Sequence, residues 1–242
     1  MAMNLEEMIY KRQSCRKFKS ESLSDEVFDK IDDFYKNTPH LFEDIKIDYK
    51  ILNADNIKTM HKWGAPHFIA LYSEQKDNYL ENIGFVFQQI CLFMQSIGIA
   101  SCWIKMASIR DKNIVDIDPS LKFVILIAIG KADGELYRQS SKADRKKLAE
   151  ISDFKDEKLK PAQLAPSSIN SQPWYFTHDE DYLNVYRKNP NFLKKKFLEP
   201  LNKIDMGICL AHMYIANRES FSFEILKNNG LDGYRYLGII KI

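Results

Sequence analysis

Two stretches of the chain bring together residue types that could do chemistry. The first is Lys11-Arg12-Gln13-Ser14-Cys15-Arg16-Lys17-Phe18, with four cations and a hydroxyl inside seven residues. Guanidinium groups grip phosphate through paired N–H donors, and a serine hydroxyl adds another donor, so this stretch can hold an anionic group. A solvated basic turn is the other reading of the same residues. The second is Ala165-Pro166-Ser167-Ser168-Ile169-Asn170-Ser171-Gln172-Pro173-Trp174, which has two prolines, three serines and two amides. Small hydrogen-bonding groups set against rigid proline can lie flat on a planar heterocycle and address its edge. An ordinary connecting loop is the alternative. Two weaker stretches accompany them. Gly98 to Ile104 reads as a helix C-cap leading into a strand, and Asp144-Arg145-Lys146-Lys147-Leu148 is a further basic cluster.

Other chemistries find little material. The five histidines show neither HExxH nor HxxxH spacing and the four cysteines form no CxxC pair, so no metal site is expected. Nine glycines in 242 residues leave no GxGxxG and no GxxxxGK[ST]. Lys+Arg of 35 against Asp+Glu of 33 gives a net charge of +2, no basic excess of the kind nucleic acid recruits. The N-terminal MAMNLEEMIYKRQSCRKF has no apolar signal-peptide core. Cys15, Cys91, Cys102 and Cys209 are therefore expected to be free thiols of a cytoplasmic protein. The longest uncharged run, Asn82 to Ile104, is long enough to span a bilayer but carries amides and serines. It reads as a buried soluble helix, a turn and a strand.

These segments need a scaffold, and 45% apolar residues over this length are enough to build one. Residues 4–16 read as a short helix entering the basic turn. Ser24 caps a helix whose apolar face is Val27, Phe28, Ile31 and Phe34-Tyr35. Ile45 to Ile51 alternates as a half-buried strand, Phe68 to Tyr72 is a buried strand, and residues 79–97 form a long apolar helix. Cys102 to Ile104 and Phe123 to Ile129 are further strands. The charged stretch Lys131 to Lys160 wraps or links. Trp174 to Phe176 and Leu183 to Tyr186 read as paired strands, Asp205 to Arg218 as a second apolar helix and Tyr234 to Ile240 as a terminal strand. Lys194-Lys195-Lys196 reads as a solvated face. Asn82-Ile83-Gly84-Phe85 and Asp205-Met206-Gly207-Ile208 open the two apolar helices alike, which suggests two related α+β halves, 1–150 and 151–242.

Taken together the segments resemble the FMN-dependent nitroreductase superfamily. Its RRSxRxF signature is matched by Arg12 to Phe18 except at Gln13, which stands in place of a base, and its flavin loop APSxxNxQPW by Ala165, Pro166, Ser167, Asn170, Gln172, Pro173 and Trp174. Its GLGTCW element is similar to Gly98 to Trp103, and its RKPLEE element to Arg145 to Glu150. The order differs from that of the common members. Where their flavin loop falls, this chain has Asn37-Thr38-Pro39-His40-Leu41-Phe42, and the full loop comes after the RKPLEE-like segment. In ordinary members two subunits share each flavin, so the chain resembles the fused, single-chain variant, a pseudo-dimer.

The resemblance implies an α+β fold with a central, mostly antiparallel sheet flanked by helices. It implies an FMN oxidoreductase that passes hydride from NAD(P)H to a nitroaromatic, quinone or similar acceptor. Arg16, Arg145 and Lys146 would neutralise the phosphate, and Arg12 would lie near the N1/C2=O edge, with Gln13 and Ser14 beside it. Pro166, Ser167, Ser168 and Asn170 would cover the ring, and Lys105 and Met106 would lie near N5. FMN carries the chemistry, so no catalytic side chain is expected, and the oligomer is a monomer or homodimer. A flavin-binding or redox-sensing protein with little turnover, Lys105 and Met106 hindering hydride access, is the alternative reading. A structural homologue that binds no flavin is the third.

Overall fold

A computed structural model of the protein describes residues 4–179, 182–227 and 230–242. The chain divides into two units, Met1–Tyr79 with Ile90–Arg138, and Leu80–Gln89 with Gln139–Ile242.

The first unit begins with α1 (Leu5–Lys11), capped by the Asn4 side chain on the Glu7 N–H, and α2 (Asp25–Lys36), which starts after Ser24. Strand β1 (Ile47–Asn53) starts two residues later than the sequence pattern places it and alternates in burial over its first four residues. A short strand β2 (Ile57–Thr59) and β3 (His67–Ser73) follow. Helix α3 (Tyr79–Ser96) is buried from residue 80 to 95, as a helix apolar on every side must be. It stops at Gly98, whose φ of +86° allows the Ile99 N–H to reach back to the Met94 carbonyl. Strands β4 (Ala100–Ile104), β5 (Ala107–Ile109) and β6 (Lys122–Gly130) complete the unit. The sheet order is β1-β3-β6-β4, antiparallel throughout, and β2 pairs with β5. Fully buried β3 lies inside this sheet, which explains its unbroken apolar run.

In the second unit the charged stretch from Gln139 is mostly irregular, with short helices α4 (Leu148–Ile151) and α5 (Lys160–Leu164). Strands β7 (Trp174–Asp179) and β8 (Tyr182–Lys188) pair antiparallel. Helix α6 (Lys195–Ala216), β9 (Ser222–Glu224) and β10 (Tyr234–Lys241) follow, giving the sheet order β7-β8-β10-β9. The class is thus α+β with antiparallel sheets, one four-stranded sheet in each unit. Helix α6 starts ten residues earlier than the sequence pattern suggests, and Pro200 lies inside it. The exposed lysines Lys194–Lys196 and the proline break the apolar period there, but the following turns are anchored by burial of Leu201, Ile204 and Met206.

Residues 80–89 of α3 cross α6 at two glycines. A Cβ on Gly84 would fall 2.1 Å from the Ile204 carbonyl oxygen, and one on Gly207 would fall 1.9 Å from that of Glu81. Each glycine thus faces the carbonyl three residues before the other. A reciprocal contact of this kind is what a two-fold relation between like helices produces.

Candidate functional site

In the first unit, the segment after α1 is laid along the sheet by backbone bonds. Cys15 N–H donates to the Ser101 carbonyl of β4, and Phe18 N–H to that of Trp63. Arg12 pairs in an isolated bridge with Tyr137, and Phe18 with Ala132. The GLGTCW-like strand therefore backs the basic segment. Arg12 is buried, and its Nη2 donates to Ser14 Oγ at 3.0 Å. The Gln13 amide donates to the Glu135 carbonyl at 2.6 Å. Arg16 is exposed. Arg16 and Arg12, with a Ser14 hydrogen bond, draw the Cys102 thiol down, though burial outweighs them and its pKa is raised.

The sequence reading missed Arg138. Its Nε donates to the Arg12 carbonyl at 2.7 Å, and its buried Nη2 has no hydrogen-bond partner among the described residues. Burial lowers its pKa from the ordinary guanidinium value. Its signal was a lone arginine at the end of the Lys131–Arg138 stretch, which sequence pattern alone could not connect to Arg12. Guanidinium groups beside a serine suit a phosphate dianion. Lys105 and Met106 lie in the same unit, between β4 and β5, and both are exposed. The Thr59 hydroxyl donates to the Met106 carbonyl at 3.2 Å.

In the second unit, the Ala165–Gln172 loop has an uncommon backbone. Ile169, Asn170 and Gln172 have φ of +49°, +57° and +45°. Left-handed geometry is unfavourable for non-glycine residues and most so for a β-branched one, so the surroundings must hold it. They do so with Arg145 and Lys146. Arg145 Nη1 donates to Asn170 Oδ1 at 3.1 Å, and Nη2 to the Leu164 carbonyl at 3.3 Å. Lys146 Nζ donates to the Ser171 and Gln172 carbonyls at 2.8 and 2.9 Å, and Lys146 N–H to Gln172 Oε1 at 2.8 Å. Burial, helped by Lys188, lowers the Lys146 pKa.

Arg145 and Lys146, two of the three cations that the resemblance directs to a phosphate, are thus brought onto the Ala165–Gln172 loop. Asn170 also donates to the carbonyl and carboxylate of Asp144, so its amide is engaged within this cluster. Ser167 Oγ accepts the Gln172 N–H at 2.8 Å, which leaves its own proton to offer. Pro166 is buried, whereas Ile169 is 73% exposed and presents an apolar side chain. A hydroxyl donor beside an outward apolar group suits the face and edge of a planar heterocycle. The structure adds Asp205 to the set. It is buried in α6 and accepts the Ser168 N–H at 2.9 Å. An acidic residue inside an apolar helical run was the signal for it. Among the described residues, no cluster of three His, Cys, Asp or Glu side chains could hold a metal ion, and no helix is long and apolar enough to cross a membrane.

An α+β scaffold that carries arginines beside a serine in one unit and a serine-rich loop with left-handed residues in the other is similar to the nitroreductases. A family model described as "Putative TM nitroreductase" matches residues 4–217, and the chain belongs to that family. Among solved structures, a putative nitroreductase of Thermotoga maritima is similar over 99% of this chain and 93% of its own, at 21% identity and a TM-score of 0.64. A nitroreductase family protein of Clostridium difficile aligns over 96% of its length with 62% of this chain, at 17% identity and a TM-score of 0.50. A nitroreductase of Desulfitobacterium hafniense, solved with bound FMN, aligns in full with 61% of this chain at 18% identity and a TM-score of 0.47. No curated protein matches.

Proposed function

We propose that the chain is an FMN-dependent oxidoreductase that takes hydride from NADH or NADPH and delivers it to a nitroaromatic, quinone or similar acceptor. The observation that carries this reading is the Ala165–Gln172 loop. Its motif is the specific one of the family, and its three left-handed non-glycine residues are held at a cost that a plain connecting loop does not require. When bound, FMN supplies the two-electron chemistry, and the protein holds and tunes it.

Arg12 and Arg16, with Gln13 and Ser14 beside them, are the ligands that the first unit offers, and Arg138 joins them. A cation at the N1/C2=O edge, the role given to Arg12, favours the anionic reduced ring. Pro166, Ser167, Ser168 and Asn170 cover the ring, with Ile169 as an apolar face. Arg145 and Lys146 hold these loop residues in place, in addition to the phosphate contacts that the family pattern gives them. No side chain of the set needs to act as a nucleophile.

The test is purification and anaerobic reduction. The protein is expected to be yellow and to bleach on adding NADH or NADPH, then to recover its colour with a nitroaromatic or quinone. A colourless protein that takes up no added FMN refutes the reading. A second reading, flavin binding with little turnover, is favoured by the exposed Lys105-Met106 pair beyond β4. It requires a yellow protein that NAD(P)H does not bleach.

A further inference from the structure

One buried carboxyl group holds the ring loop from α6. Asp205 Oδ1 accepts the Ser168 N–H at 2.9 Å, and Oδ2 lies 3.4 Å from Ser171 Oγ. The same hydroxyl lies 3.4 Å from Asn202 Oδ1. A serine has one hydroxyl proton, so with the Asn202 amide turned with Oδ1 toward it, Ser171 cannot satisfy Asn202 Oδ1 and an ionised Asp205 Oδ2 together. With a proton on Oδ2 every group is paired: Asp205 donates to Ser171 Oγ, and Ser171 donates to Asn202 Oδ1.

The charges around Asp205 do not oppose this arrangement. On α6, burial pushes the Cys209 thiol well up, so it brings no charge to Asp205. His212 is taken up by Gln88 and the Pro161 carbonyl. Glu81 of α3, itself raised by burial, has Lys203 and Arg187 as its charged neighbours. Arg187 of β8 is ion-paired with Glu199. Arg145 and Lys146 are engaged with Asn170, Leu164, Ser171 and Gln172, and α5 contributes Lys160 at its start. Among the described residues no cation forms an ion pair with Asp205, and burial lifts its pKa to about 8.

We propose that Asp205 is the positioning residue of the flavin-ring loop and works as the neutral carboxylic acid, accepting from Ser168 at Oδ1 and donating from Oδ2 to Ser171. Loss of that proton strands two acceptors on one hydroxyl and loosens the loop. The link to FMN rests on the function proposed above; the link to the loop does not. Two residues before Gly84, where Asp205 has its counterpart, stands Asn82, so an amide is compatible with that point of a crossing helix. Asparagine also copies the acid, with a carbonyl to accept and an amide to donate.

The experiment is amide hydrogen exchange of the FMN-free protein, read on peptide 165–173 as protection relative to free-peptide rates at pH 6.5 and 9. Wild-type protection is expected to fall about tenfold between these pH values, as the acid loses its proton. Asp205→Asn should match wild type at pH 6.5 and hold its protection at pH 9. Asp205→Ala and Ser171→Ala should be unprotected at both, and Ser171→Ala carries the comparison if the alanine variant at 205 fails to fold. Asp205→Asn behaving like Asp205→Ala, or all proteins exchanging alike, overturns the proposal. FMN titration of the same proteins should show affinity following protection. Protection in the expected pattern, with FMN bound by none of them, overturns the flavin part together with the proposed function and leaves the proton-held loop standing.

Discussion

Arg16 and Lys17 are adjacent cations with different surroundings. Lys17 Nζ is 2.6 Å from the Asp133 carboxylate in an exposed ion pair, whereas Arg16 pairs with no described carboxylate and lies beside the Ser14–Cys102 pair. Arg16→Ala should therefore weaken FMN binding about tenfold or more, the loss of one charge-assisted hydrogen bond, and Lys17→Ala should leave it within about twofold. Flavin fluorescence titration measures both; equal affinities would remove Arg16 from the site. Asp205 makes a separate prediction about stability. Its folded pKa of about 8 lies above its ordinary 3.8, so between these values the folded chain binds more protons than the unfolded one. Its contribution is then most favourable near pH 4 and is lost as pH rises toward 8, at up to about 1.4 kcal/mol per pH unit. Urea unfolding of Asp205→Asn should show an advantage over wild type that grows from pH 5 to pH 8. A difference that does not change with pH would show that this carboxyl group is not linked to folding.

At the scale of elements, the α3–α6 crossing tolerates no side chain at either glycine. Alanine at Gly84 or Gly207 would drive a methyl into a backbone carbonyl, so the helices must separate. Overpacking of this kind costs about 1–3 kcal/mol or more, and in a chain of this size lowers Tm by roughly 2–12 °C. Gly98 has a left-handed φ but nothing within 4 Å of its would-be Cβ, so alanine there carries only the backbone cost of about 1 kcal/mol. Scanning calorimetry should rank Gly84→Ala and Gly207→Ala below Gly98→Ala; the reverse order would mean that the helices yield easily. The same elements show what a sequence can reveal. The long helices and buried strands were legible because apolar period and length agree, as in Tyr79–Ser96 and His67–Ser73. Three-residue strands such as Ile57–Thr59 and Ala107–Ile109 are too short to show alternation, and their pairing is set by distant contacts. The start of α6 was hidden by lysines and Pro200, because burial of the later turns overrides local preference. Within the site, the loop motif was legible from residue types alone. Asp205, Arg138 and the turning of Arg145 onto Asn170 were not, because each depends on contacts across 25 to 126 residues of sequence.

At the scale of the whole molecule, the question is how many flavins one chain can take. The RxSxR segment occurs once, at Arg12 to Arg16, and the serine-rich loop occurs once, at Pro166 to Asn170. The first-half stretch that stands where ordinary relatives carry their loop is Asn37 to Phe42, with no serine and its asparagine outside the motif position. The α3–α6 crossing treats the two helices alike through Gly84 and Gly207, but the chemistry around them is not alike: Asp205 has Asn82 as its counterpart. The chain thus carries one copy of each set of candidate ligand groups. A second FMN would bury a phosphate dianion without matching cations, at a cost of several kcal/mol. Reconstitution with excess FMN should therefore give one flavin per chain, whatever the mass in solution. Absorbance for the ratio, with light scattering for the mass, decides the matter. A ratio near two would refute the loss of the second set. One flavin on a monomer would mean that a single chain supplies both sets. One flavin per chain that leaves as a dimer dissociates would mean that the sets come from different chains, and the pseudo-dimer reading would fall.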